Sequence, residues 1–279
     1  MNPNVLLGIG GLLVGATVSA LAWRRARPEA DPLFPTQRLR AWWVMVAVFV
    51  LATAGGPAVS IAGFALLSLV ALREFLLHLP RKLSKSTRLF CYLAVLVQYW
   101  WVQADWYGMF VVFVPVFLFL YLPTTDSFSG KSDAPLADQA LLHWGMMTTV
   151  FCLSHAAYLM VLPKGPGLLF FVTVLTEVAD SVRILLGRFP WGRQASPLLS
   201  TLAALATALL LGPSLTPLSL FHAGLAGFVL GLAGTIGNAN ITAVSRELEV
   251  PPGGGLSRIE SLAYTAPLFF HGYRYFYLP

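Results

Sequence analysis

Residues Asn238 to Tyr275, NANITAVSRELEVPPGGGLSRIESLAYTAPLFFHGYRY, break a nearly continuous apolar sequence with polar side chains, glycines and charges. Pro251-Pro252 cannot continue a helix, and Gly253-Gly254-Gly255 takes backbone angles closed to other residues and lets a ligand approach the main chain. A loop is therefore forced. Arg258 and Glu260 follow at once, and Leu262 to Phe270 returns to an apolar run. A polar loop held between two apolar helices is either a re-entry turn whose charges face water or a site built at the edge of a membrane. The residues alone leave both readings open.

Outward from this stretch the composition decides the class. With 57% hydrophobic and 11% charged residues over 279 positions, a water-soluble domain is excluded and an all-α, polytopic membrane bundle is implied. Cys91 and Cys152 lie inside apolar stretches, as small buried hydrophobes and not as a disulfide or metal framework. The net charge of +6 does not signal nucleic acid, because the basic residues sit in short loops between apolar runs, where they set topology.

Val5 to Trp23 is a run of 19 residues without a charge, followed by Arg24, Arg25 and Arg27, which predicts a retained first helix with its N-terminus outside. Nine further segments are expected at about 41–56, 58–77, 89–103, 109–123, 142–162, 167–186, 198–212, 218–237 and 261–277, ten in all within one membrane domain. That domain divides into 1–40 as first helix and linker, 41–165 as N-terminal helices and 166–279 as the C-terminal region. Counting alternate sides puts the loops 24–40, 81–88, 124–141, 187–197 and 238–260 in the cytoplasm, and these hold nearly every Lys and Arg outside the helices. In 218–237, Gly224, Gly227, Gly231 and Gly234 recur every three or four residues, so another helix can pack very close to that face.

Charges within membrane segments are costly and invite a functional explanation. Glu177, Asp180 and Arg183 fall three apart along one helix face near its cytoplasmic end. They either hold a cation or phosphate, or Asp180 and Arg183 neutralise each other inside the bundle. Arg73 and Glu74 form a second charged pair beside the basic loop Arg81, Lys82, Lys85, Arg88, which reads as a patch facing lipid headgroups. His155, alone deep in a span, reads as a bridge between helices.

The C-terminal stretch resembles the signature of the phosphatidate cytidylyltransferase (CDP-diacylglycerol synthase) family. That signature runs roughly S-x-x-K-R, K-D, H-G-G-x-x-D-R-x-D-S and then an apolar T-A-P-x-F-F helix. Ser245-Arg246, Gly253-Gly254, Arg258, Glu260-Ser261, Thr265-Ala266-Pro267 and Phe269-Phe270 carry the match. Ala71 to Phe75, Trp106 to Phe110, Leu153 to Ala156 and Asp180 to Gly192 resemble a bacterial branch of the same family. The resemblance implies an inner-membrane enzyme with its site facing the cytoplasm, joining CTP to phosphatidate and releasing pyrophosphate with Mg2+ held by carboxylates.

Carried over residue by residue, the resemblance makes Arg258, Glu260 and Asp180 catalytic, puts Arg246, Gly253, Gly254 and Ser257 against the nucleotide phosphates, and gives magnesium to Asp180, Glu260 and Asn238. The pattern is thinned where charge is handled. Ser257 and Asn238 stand where carboxylates are expected, Pro252 replaces the histidine, and Leu199 replaces the lysine of the S-P-x-K-T segment. The loop between Arg246 and Ser257 is shorter than the pattern by roughly eight residues. Weak or redirected activity on CTP and phosphatidate is expected. The alternative is a non-catalytic relative that binds an anionic lipid or a partner enzyme of phospholipid synthesis, as a monomer or homo-oligomer; a small transporter or flippase fits less well, since no inverted repeat of broken helices stands out.

Overall fold

The computed structural model describes residues 33–127, 135–187, 189–250, 256, 259 and 261–278, and the expected first segment, 5–23, lies outside them. All regular structure among the described residues is helical. We label α1 Leu33–Leu77 and α2 Lys85–Gln103. The run Tyr107–Val112, Phe113–Leu118 and Phe119–Ser127 is α3, and the run Pro135–Met146, Met147–Cys152 and Leu153–Leu159 is α4. Then come α5 Gly165–Leu186, α6 Gly192–Leu215, α7 Leu220–Glu247 and α8 Leu262–Tyr277.

Among the described residues four stretches are long and apolar enough to cross a membrane: Gly55–Leu77, Tyr107–Thr124, Gln194–Leu215 and Leu220–Glu247. The chain is a helical membrane protein, and among the described residues four stretches, against nine segments expected there, meet this measure. Segments 41–56 and 58–77 are two helical stretches within α1, joined at a kink at Gly56, whose φ of 75° and ψ of −176° precede Pro57. Pro57 has no N–H to donate, and glycine alone takes that φ without strain, so the Gly-Pro step kinks α1 between its two helical stretches. The middle turns of α3 and α4 widen to π geometry. In α3 the π turn contains Pro115, which removes one rung of the helical ladder.

The helices form two halves. In the N-terminal half α1 packs on α2 and on α4; in the C-terminal half α6 packs on α5 and α7, and α8 leans on α7 and α5. The seam joins α8 to the last turns of α4, and α1 to α5. His155, fully buried in α4, bridges that seam. Its Nδ1 lies 2.8 Å from the Phe151 carbonyl, which can only accept, so neutral His155 carries its hydrogen there. Its Nε2 is then the acceptor for His271 of α8, 3.1 Å away.

The glycine face of α7 is where α6 comes closest. A Cβ at Gly231 would stand 2.7 Å from the Cα of Thr201, and one at Gly227 would stand 2.8 Å from the Cα of Leu205. Those neighbours are backbone, so they cannot rotate aside. Gly231→Val is expected to destabilise the protein by about 1–3 kcal/mol through overpacking, seen as a lower melting temperature in detergent; an unchanged melting temperature contradicts the close approach.

Candidate functional site

The polar centre of the C-terminal half forms where α5, α7 and the start of α8 meet. Asp180, in the penultimate turn of α5, accepts two hydrogen bonds on Oδ1: from Arg183 Nη2 at 2.6 Å and from Ser261 Oγ at 2.8 Å. Both side chains of the Asp180–Arg183 pair are 15% exposed. The three-residue spacing puts acid and base on one helix face, and the guanidinium gives the carboxylate a charge-assisted partner on its own helix. Ser261 Oγ also lies 3.4 Å from the Gly234 carbonyl of α7, so one hydroxyl touches all three elements.

One turn further into the bundle, Thr176 and Thr265 hydroxyls meet at 2.9 Å, and Thr176 donates back to the Val172 carbonyl at 2.8 Å. Buried hydroxyls satisfied in this way can sit in an apolar interior, and they fix the register of α5 against α8. The sequence reading named Asp180 and missed Ser261 and the Thr176–Thr265 pair as its support. Their separations of 81 and 89 residues leave no local signal.

Glu177, on the same face as Asp180, is half-buried and engaged. Asn238 is likewise half-buried and engaged, but it stands on a helix. This corrects the expected loop of 238–260: α7 runs on to Glu247, ten residues past the expected end at 237. Arg246 is therefore an exposed residue of the last turn of α7, where a cation suits the helix C-terminus. Gly253, Gly254, Ser257, Arg258 and Glu260, along with Pro252, lie outside the described residues.

Two positions of that segment are described, and both anchor it. Leu256 and Ile259 are fully buried, and Leu256 N donates to Glu74 Oε2 of α1 at 2.7 Å. Glu74 is thus the acceptor for the C-terminal segment and forms no ion pair with its neighbour Arg73, which is exposed. In the Ser196–Ser200 stretch, Ser200 and Thr201 donate to the Pro197 carbonyl at 3.1 and 2.7 Å, and Leu199 is 37% exposed.

Among the described residues the donor set does not suit a magnesium ion held in advance. Asp180 is already charge-paired, Asn238 is neutral, and no three His, Cys, Asp or Glu side chains among the described residues come together to hold a metal. A hard divalent cation asks for anionic oxygens free to turn toward it.

A helical membrane bundle with a mostly buried acid at the junction of α5, α7 and α8 is what the chain builds. The comparison with known families gives that architecture its place: the model of the cytidylyltransferase family matches residues 36–276, so the chain belongs to that family. It is also similar to the uncharacterized protein YnbB of Escherichia coli (strain K12), with 32% identity over 305 residues covering 99% of each chain.

Proposed function

We propose that this protein is a cytidylyltransferase-type enzyme of phospholipid biosynthesis that couples CTP to phosphatidate, or to another lipid phosphate, at the cytoplasmic face of a bacterial inner membrane, and that it does so slowly. The observation that carries the reading is Asp180, held by Arg183 and Ser261 beside the segment that bears the family motif. In the reaction a lipid phosphate oxygen attacks the α-phosphorus of CTP and pyrophosphate leaves, so the site has to stabilise charge gathering on the phosphates. Arg258 and Arg246 supply positive charge for them, and Gly253 and Gly254 allow the backbone to come near.

Arg183 removes much of the negative charge that Asp180 would offer a cation, so any magnesium used here would have to be held mainly by the nucleotide's own phosphates. The same ion pair supports a second reading, a non-catalytic relative that binds an anionic lipid. Equilibrium dialysis with manganese as the probe separates them. The enzyme reading expects no retained metal with protein alone and retention when CTP is added; no CTP-dependent retention sinks that reading in favour of the second, and tight retention without CTP contradicts the account of Asp180.

The orientation is tested separately. In a variant lacking Cys91 and Cys152, a cysteine at Ser257 is expected to react with an impermeant maleimide only after the cytoplasmic side is opened. Reaction from the outer side of intact cells reverses the orientation.

A further inference from the structure

A second place on the molecule has the chemistry of a binding site and shares no residue with the Asp180 centre. A cavity of about 590 Å³ opens between the α1–α2 turn, the first turns of α2, the end of α3 and the start of α4. The Asp180 centre is built from α5, α7 and α8, and α1 packs against both groups of helices.

The cavity is positive at one end and apolar at the other. Arg81 and Lys82 line it, and Lys85 and Arg88 follow on the first turn of α2. Among the described residues its one lining acid, Asp138, is already bridged to Arg81 at 3.0 Å. Lys82, Lys85 and Arg88 form no ion pair with any acid among the described residues. Below them, Phe90 and Tyr121 meet ring to ring at 4.5 Å and, with Leu142, make an apolar floor. Ser84 caps α2, its Oγ accepting from Thr87 N at 3.0 Å, and the exposed Ser84 and Ser86 hydroxyls stand at the rim.

The level of the cavity decides what it holds. The candidate span Gly55–Leu77 ends two residues before Leu79, and the span Tyr107–Thr124 ends just past Tyr121, both of which line it. Its mouth therefore sits where hydrocarbon gives way to headgroups, with the cations on the water side and the rings on the lipid side. A free phosphate would have no use for the apolar floor, and a neutral lipid none for Lys82 at the wall and Lys85 and Arg88 beside it.

We propose that this cavity is a site for a phosphate-bearing anionic lipid, separate from the Asp180 centre and independent of the cytidylyl-transfer reading. The phosphate lies against Lys82 and the α2 N-terminus, and an acyl chain runs along Phe90, Tyr121 and Leu142. Each cation near a membrane surface contributes roughly five-fold to binding of an anionic lipid, so three contribute about a hundredfold.

The test is native mass spectrometry of the full chain in detergent, titrated with dioleoyl phosphatidate, dioleoyl phosphatidylcholine or glycerol 3-phosphate. Saturable binding of phosphatidate is expected, weakened about a hundredfold in Lys82→Ala/Lys85→Ala/Arg88→Ala and kept in Lys82→Arg/Lys85→Arg/Arg88→Lys. Leu142→Trp, which fills the floor, is expected to weaken phosphatidate binding with all cations present, which covers a triple variant that fails to fold. Asp180→Asn/Arg183→Met, which leaves no stranded charge, is expected to leave this binding in place, so its outcome is separable from that of the catalytic reading. Equal affinity of the triple-alanine variant and the wild type, equal binding of phosphatidylcholine, or glycerol 3-phosphate binding as well as the lipid does, overturns the proposal.

Discussion

Asp180→Asn is expected to lower the stability of the folded protein by about 3–5 kcal/mol, because it strands the Arg183 guanidinium where the pair is mostly buried. The loss should be largely repaired in Asp180→Asn/Arg183→Met. Removing both charges leaves no buried ion to solvate, and methionine fills much of the arginine volume. Ser261→Ala should cost less, about 1 kcal/mol, since only one neutral donor to the carboxylate goes and the salt bridge stays. Thermal unfolding in one detergent for the wild type, both single variants and the double variant gives the coupling energy directly. If Asp180→Asn melts like the wild type but loses CTP-dependent metal binding, Asp180 is a ligand first and the ion pair is incidental.

Much of this arrangement was legible in the chain, and the rest was hidden for identifiable reasons. The break between 41–56 and 58–77 and the glycine spacing of α7 are local signals, and both appear where they were expected. The three-residue spacing of Asp180 and Arg183 also announced a possible pair, though not whether it forms. The extension of α7 was missed because Asn238, Asn240 and Ser245 look like loop chemistry. Yet Gly237, Ile241, Val244 and Leu248 keep a helical spacing beneath them, and three of those four are buried, with Val244 partly so. The polar Asn240 simply faces outward. Ser261 was quoted only as part of a motif, because nothing near it in sequence shows that it bridges α5 and α7. The cavity at the α1–α2 turn was half visible, as a basic loop; its apolar floor comes from α3 and α4 and needed the fold.

The family scaffold is kept here, and in the proposed reading its capacity to manage phosphate charge is reduced. A triphosphate carries roughly four negative charges near neutral pH, and each magnesium that screens them is held by one or two carboxylates plus substrate oxygens. Ser257 and Asn238 offer no charge, and Asp180 spends its own on Arg183. Loss of one preorganised electrostatic element commonly slows a reaction on the order of a hundredfold to a thousandfold, and here more than one is altered. Ser257→Asp/Asn238→Asp should raise metal affinity in the presence of CTP while leaving turnover low, since Leu199 and the shortened loop remain. The direct measurement is conversion of labelled CTP and phosphatidate to CDP-diacylglycerol by the purified wild-type protein with magnesium, beside a family member that keeps the full motif. Turnover at least a hundredfold slower is predicted, and turnover equal to that relative would contradict the account.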